Sequence, residues 1–124
     1  MNLQDKSVLV VEDEFIIAEI LCAYVEDMGV AVCGRAAKAD EAVALVIEHR
    51  PAVILMDVRL IGEKDGIDAA LAIRDVVDAR VIFITGSREP ATISRIDLVN
   101  PYAVLFKPAG EKQLKSTISA ALGD

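Results

Sequence analysis

The chain has 124 residues, 54% of them apolar, with 20 acidic against 13 basic residues and a formal net charge of −7. That length suits a single domain with a sizeable core, and the acidic balance excludes the basic footprint that nonspecific nucleic-acid or membrane-surface binding needs. Apolar runs fall short of the roughly 20 residues that span a bilayer, and the polar opening MNLQDKS is no secretory leader, so the expected location is cytoplasmic.

With three Phe, two Tyr and no Trp, the core must be built from Val, Ile, Leu and Ala. The run Val8–Val11 predicts a buried strand, and Glu12, Asp13 and Glu14 follow it with no spacer. Apolar residues at Ile17, Ile20, Leu21, Tyr24 and Met28 recur at helical spacing over Phe15–Met28, which places Glu14 at a helix start, where it complements the N-terminal dipole. A second strand is predicted over Val30–Cys33, and Ala42, Val43, Val46 and Ile47 mark a second helix ending near a solvated His49.

Val53–Met56 reads as the third strand and delivers Asp57. Ile67, Ala70, Leu71 and Ile73 mark the third helix, with Asp65 and Asp68 as N-cap and first-turn charge. Val81–Ile84 is the fourth strand and leads into Thr85, Gly86 and Ser87. Glu89–Leu98 is the weakest helical pattern, diluted by Ser and Thr, although Pro90 suits a first turn. Ala103–Phe106 is the fifth strand and runs into Lys107 and Pro108; Leu114, Ile118, Ala121 and Leu122 mark the last helix. Gly29, Pro51, Gly86 and Pro101 punctuate the joins, and Cys22 and Cys33, lacking close CxxC spacing, read as reduced core thiols.

Five short apolar strands alternating with five helices predict an α/β fold with right-handed crossovers and a doubly wound parallel sheet. Ligands of such sheets bind at the carboxyl ends of the strands. Here those ends carry Glu12, Asp13, Asp57, Thr85 and Lys107. Neighbouring carboxylates repel unless a cation lies between them. Hard oxygen donors without His or thiolate suit Mg²⁺, held by Glu12, Asp13 and Asp57. With that charge in place Asp57 can act as a nucleophile toward a phosphoryl group, Lys107 supplying a second cation and Thr85 a hydroxyl donor. Gly86 leaves room for the incoming group and offers its N–H, and Pro108 makes a cis peptide that aims Lys107 inward plausible.

At VLVVEDE, LMDVRL, FITG and FKP the sequence resembles the response-regulator receiver domain of two-component signalling, over essentially the whole chain. The resemblance implies a flavodoxin-like (βα)5 fold with strand order 2-1-3-4-5, a single receiver domain over 1–124, and Asp57 as phosphoacceptor. It implies the backbone carbonyl of Arg59 as a further Mg²⁺ ligand. It also implies a histidine kinase or phosphotransfer protein as donor, a downstream protein target and a weak homodimer as partners. The stretch Phe83-x-Thr85-Gly86 is similar to a stand-alone receiver subgroup common in alphaproteobacteria. Since the chain stops after the last helical pattern, its output is expected through protein contact or competition for phosphoryl groups.

Two departures stand out. DVRLIGEKDG lacks the proline that often follows the phosphoacceptor and carries an extra residue before Asp65, so a different loop opened by Gly62 is expected. The family's switch aromatic falls at Val104, with aromatics instead at Tyr102 and Phe106. Alternatives weighed are a pseudo-receiver that only binds, a phosphate sink, and a turnover phosphohydrolase. The last would want an acid where Arg59 stands, so the chain is expected not to be an enzyme beyond its own phosphorylation and dephosphorylation. A flavin module is excluded, because the EDE run would repel a phosphate.

Overall fold

The structure, a computed structural model, describes residues 6–123. Five strands and five helices alternate: β1 Ser7–Val11, α1 Phe15–Asp27, β2 Ala31–Ala36, α2 Ala39–His49, β3 Val53–Asp57, α3 Gly66–Arg74, β4 Arg80–Thr85, α4 Pro90–Val99, β5 Ala103–Phe106 and α5 Glu111–Gly123. The strands form one parallel sheet in the order β2-β1-β3-β4-β5. Helices cover both faces, which is why the central strands read as unbroken apolar runs rather than as an alternation. Leu9, Val11, Ile54, Met56 and Phe83 point into the layer under α2, α3 and α4. Val8, Val10, Val53, Leu55 and Ile82 point into the layer under α1 and α5. No helix among the described residues is long and apolar enough to cross a membrane.

Differences from the sequence reading are local and have physical causes. Strand β2 continues through Gly34 and Arg35 to Ala36, beyond the apolar run. It is an edge strand whose register slips between Val8↔Val32 and Leu9↔Gly34, so pairing with β1 extends it where hydrophobicity does not. Strand β3 includes Asp57 and β4 includes Thr85, because both backbones stay in the ladder after the apolar run has ended. Helix α4 forms despite its weak propensity, with Pro90 in its first turn and Ile96 and Val99 buried against the sheet. Tertiary packing overrides the intrinsic preference there.

Helix α3 begins with a capping box: Asp65 accepts from the Asp68 N–H at 2.9 Å, and Asp68 accepts from the Asp65 N–H at 3.0 Å. The loop before it turns at Gly62, whose φ of 102° favours glycine. Ile61 donates its N–H to the Ala37 carbonyl at 3.0 Å, and Gly66 donates to the Val58 carbonyl at 2.7 Å, so the departure from the usual loop is stitched down at both ends. His49 is exposed at the end of α2. Cys22 is buried and Cys33 half-buried, both as free thiols that burial pushes above their ordinary range, as suits unreactive packing groups.

Candidate functional site

Each crossover returns the chain so that every strand ends on the same rim, and four of the five ends carry chemistry. Strand β1 stops at Val11 and releases Glu12 and Asp13; β3 ends on Asp57, β4 on Thr85, and β5 hands over to Lys107. One oxygen from each of Glu12, Asp13 and Asp57 lies within 4.8 Å of the others. Glu12 and Asp57 are buried, at 4% and 7% exposure, and Asp13 is half-buried. Glu14 stands outside this group as the exposed N-cap residue of α1; its side chain makes no capping bond, and its N–H donates to Glu12 Oε2 at 3.1 Å.

Lys107 joins the carboxylates. Its Nζ donates to Glu12 Oε1 and to Asp57 Oδ2, each at 3.3 Å. The Lys107–Pro108 peptide is cis. Thr85 is buried, and its Oγ1 accepts the Ser87 N–H at 3.1 Å, which leaves the hydroxyl hydrogen free to donate elsewhere. Asp13, Asp57, Thr85 and Lys107, together with Arg59, Gly86, Arg88 and Arg95, line a groove of about 790 Å³.

The electrostatics follow from burial. Desolvation pushes the Glu12 carboxyl up to about 7; the Glu14 N–H and Lys107 pull it down, and Asp57 adds to the rise. For Lys107 burial works to lower the pKa, but the charges of Asp57 and Glu12 win and hold it above its ordinary value. Within the carboxylate cluster itself, Lys107 is the cation in contact, bonded to Glu12 and Asp57. An all-oxygen donor set of this kind fits a hard divalent ion such as Mg²⁺.

The structure therefore brings together Glu12, Asp13, Asp57, Thr85 and Lys107, and places Arg59 on the same groove wall. Sequence reading missed three participants. Gly66 packs against the Asp57 backbone so closely that an added Cβ would lie 1.9 Å from the Asp57 carbonyl oxygen. Arg95 of α4 reaches Asp65 Oδ2 at 2.7 Å and Oδ1 at 3.2 Å, and Asp68 Oδ1 at 3.4 Å. Arg88 stacks 4.0 Å above the Phe106 ring. The Asp65-Gly66 pair was a visible signal for the first, since a glycine at a helix start often marks a close approach. Nothing in the sequence signals the other two: Arg95 reaches Asp65 because α4 packs beside α3, and Arg88 reaches Phe106 because β4 pairs with β5.

A 2-1-3-4-5 parallel sheet with an acidic pocket, a hydroxyl and a lysine on its carboxyl rim defines a receiver-type module. The chain belongs to the response regulator receiver domain family, whose model matches residues 8–119. It is 31% identical over 117 residues to the transcriptional regulatory protein PdtaR of Mycobacterium tuberculosis, covering 94% of this chain and 57% of that protein. It is 34% identical over 116 residues to the phyllosphere-induced regulator PhyR of Methylorubrum extorquens, covering 93% of this chain and 43% of that one. The chain thus spans about half the length of these relatives. Among solved structures, the receiver domain of PhyR from Erythrobacter litoralis superposes with a TM-score of 0.85 at 33% identity, covering 97% of this chain and 92% of that one. The receiver domain of a modulated diguanylate cyclase from Desulfovibrio desulfuricans gives 0.87 at 34% identity, covering 94% and 92%.

Proposed function

We propose that the chain is a phosphorylation-dependent switch that accepts a phosphoryl group on Asp57. The observation that carries this reading is the placement of Asp57: buried at the rim, within 4.8 Å of two further carboxylates and hydrogen-bonded by Lys107. In the reaction an Asp57 Oδ forms a bond to phosphorus while the donor's bond to phosphorus breaks. The leaving group, an imidazole nitrogen of a phosphohistidine or an acetate oxygen of acetyl phosphate, departs with the electron pair.

Mg²⁺ held by Glu12, Asp13, Asp57 and the Arg59 carbonyl would neutralise charge on the phosphoryl oxygens. The chain's own groups do the rest. Lys107 exchanges a carboxylate oxygen for a phosphoryl oxygen, and Thr85 donates its hydroxyl hydrogen to another. Because Thr85 Oγ1 accepts from Ser87 and Ser87 Oγ accepts the Glu89 N–H at 3.3 Å, a shift at Thr85 is passed to the start of α4. That transmission is a population shift, driven by the contacts the phosphoryl group gains in one loop arrangement over the other.

The proposed donor is a histidine kinase or phosphotransfer protein and the proposed output is a protein contact, both in the cytoplasm, with the described residues acting as a single receiver unit. Exposed Phe15 and Ile16, which follow the acidic run at the start of α1, offer such a donor apolar surface beside the site. The test is intact-protein mass after incubation with acetyl phosphate and Mg²⁺, with Asp57→Asn in parallel. One added phosphoryl group on the wild type, absent from the variant and from chelated samples, supports the reading. No adduct under conditions that label a control receiver overturns it in favour of a binding-only module.

A further inference from the structure

Four cationic side chains line the groove around Asp57: Arg59, Arg88, Arg95 and Lys107. Two are engaged with carboxylates, Lys107 with Glu12 and Asp57, and Arg95 with Asp65 and Asp68. Among the described residues Arg88 forms no ion pair. Its guanidinium lies instead over the half-buried ring of Phe106 at 4.0 Å. Phe106 pairs with Thr85 across the sheet and directly precedes Lys107, whose N–H donates to the Thr85 carbonyl at 2.8 Å. The stack therefore stands beside both Thr85 and Lys107: Phe106 is the cross-strand partner of one and the residue before the other, and Arg88 follows Thr85 by three residues.

We propose that Arg88 is a third phosphoryl-binding group, and that it leaves the Phe106 ring when Asp57 is phosphorylated. This rests on the phosphoacceptor reading above. An exposed guanidinium holds an aromatic face weakly, whereas a charge-assisted fork to phosphoryl oxygens is among the stronger polar contacts. A dianionic group placed in the groove supplies the anion that Arg88 lacks. Movement of Arg88 carries the β4–α4 loop with it and uncovers Phe106. By strand alternation Phe106 shares the α4 side of the sheet with Val104, which packs against that core layer. Phosphorylation thus changes an aromatic surface beside α4 although no ring stands at residue 104.

The experiment is NMR of the full chain, following the arginine side-chain Nε–Hε signals and the Phe106 ring, with intact mass measured on the same samples. Spectra are taken without additions, with Mg²⁺ alone, and with Mg²⁺ and acetyl phosphate. The expected result is an Arg88 signal displaced by the ring current in the first two states. It returns to the normal range on phosphorylation, while the Phe106 ring shifts with it. In Phe106→Leu that signal lacks the displacement from the start. In Arg88→Gln, Asp57 is still labelled, about threefold more slowly as suits the loss of one exposed charge contact, and the Phe106 signals no longer respond. Mass-verified labelling with Arg88 unmoved from the ring, or with Phe106 still responding in Arg88→Gln, overturns the proposal alone. Absence of any label overturns the phosphoacceptor reading and this proposal with it.

Discussion

Replacing Gly66 by alanine is expected to damage stability and phosphorylation together. The backbone of Gly66 sits under the end of β3, and an added Cβ would lie 1.9 Å from the Asp57 carbonyl oxygen and 3.0 Å from both the Asp57 carbonyl carbon and Met56 Cγ. Real contacts of this kind essentially never fall below 3.0 Å, so α3 or the end of β3 must retreat by more than 1 Å. The neighbours are backbone and a buried core side chain, so the retreat is not absorbed by a flexible tip. Gly66 also donates to the Val58 carbonyl at 2.7 Å, a bond that the same movement strains. Overpacking of this kind costs on the order of 1–3 kcal/mol. For a domain of this size that lowers the melting temperature by roughly 4–12 °C.

Moving Asp57 relative to Glu12, Asp13 and Lys107 also disturbs positioned chemistry, where a 1 Å error can cost about a hundredfold. The assays are thermal unfolding by circular dichroism and the rate of acetyl phosphate labelling by mass. Gly86→Ala is the matched control for stability only, because its added methyl meets nothing within 4 Å. A melting temperature within about 2 °C of wild type, with labelling unchanged, would refute the claim that Gly66 sets the position of the acceptor.

Two further outcomes follow from the electrostatics. The Asp65 carboxyl is held below its ordinary 3.8: burial works against this, but the Arg95 guanidinium and the Asp68 N–H outweigh it. A depressed carboxyl pKa contributes stability in full above the unfolded value and loses it as pH falls through the folded one. Arg95→Ala should therefore lower urea stability by about 1 kcal/mol or less at pH 7, given the partial exposure of the pair, with the difference shrinking below about pH 3.8. A pH-independent difference would assign the effect to packing instead. Glu12, pushed up to about 7 by burial, must lose a proton to hold a cation. Mg²⁺ affinity measured by calorimetry should rise about tenfold between pH 6 and pH 8 with proton release, and Glu12→Gln should flatten that rise; a flat wild-type profile would contradict the assigned ligand.

The fold was legible because its signals are local. Val8–Val11, Val53–Met56 and Val81–Ile84 are unbroken apolar runs, and only a sheet covered on both faces needs them. The acid run after β1 was legible for a similar reason, since Glu12 and Asp13 have no packing role at a strand end. What was hidden depends on which strands lie side by side. The extension of β2 through Gly34 and Arg35 comes from pairing with β1, a partner 25 or so residues earlier in the chain. Arg95 meets Asp65 across 30 residues because α3 and α4 pack on one face, and neither side chain breaks the helical pattern around it. Phe106 stands out in the sequence as an aromatic away from the switch position at Val104, but the guanidinium of Arg88 above its ring depends on the pairing of β4 with β5.

The central claim is that an acyl phosphate forms on Asp57, and hydride reduction tests it most directly. Borohydride converts an aspartyl phosphate into the corresponding alcohol, homoserine, and leaves free carboxylates untouched. After acetyl phosphate and Mg²⁺, reduction and peptide mass mapping, homoserine is expected at residue 57 and nowhere else, and it should be absent when a chelator replaces the metal. A reduced alcohol elsewhere is distinguishable by position and mass: homoserine at Asp13 or another aspartate, 5-hydroxynorvaline at Glu12 or another glutamate. Finding it there, or finding none in a chain that carries a phosphoryl group, would contradict the account.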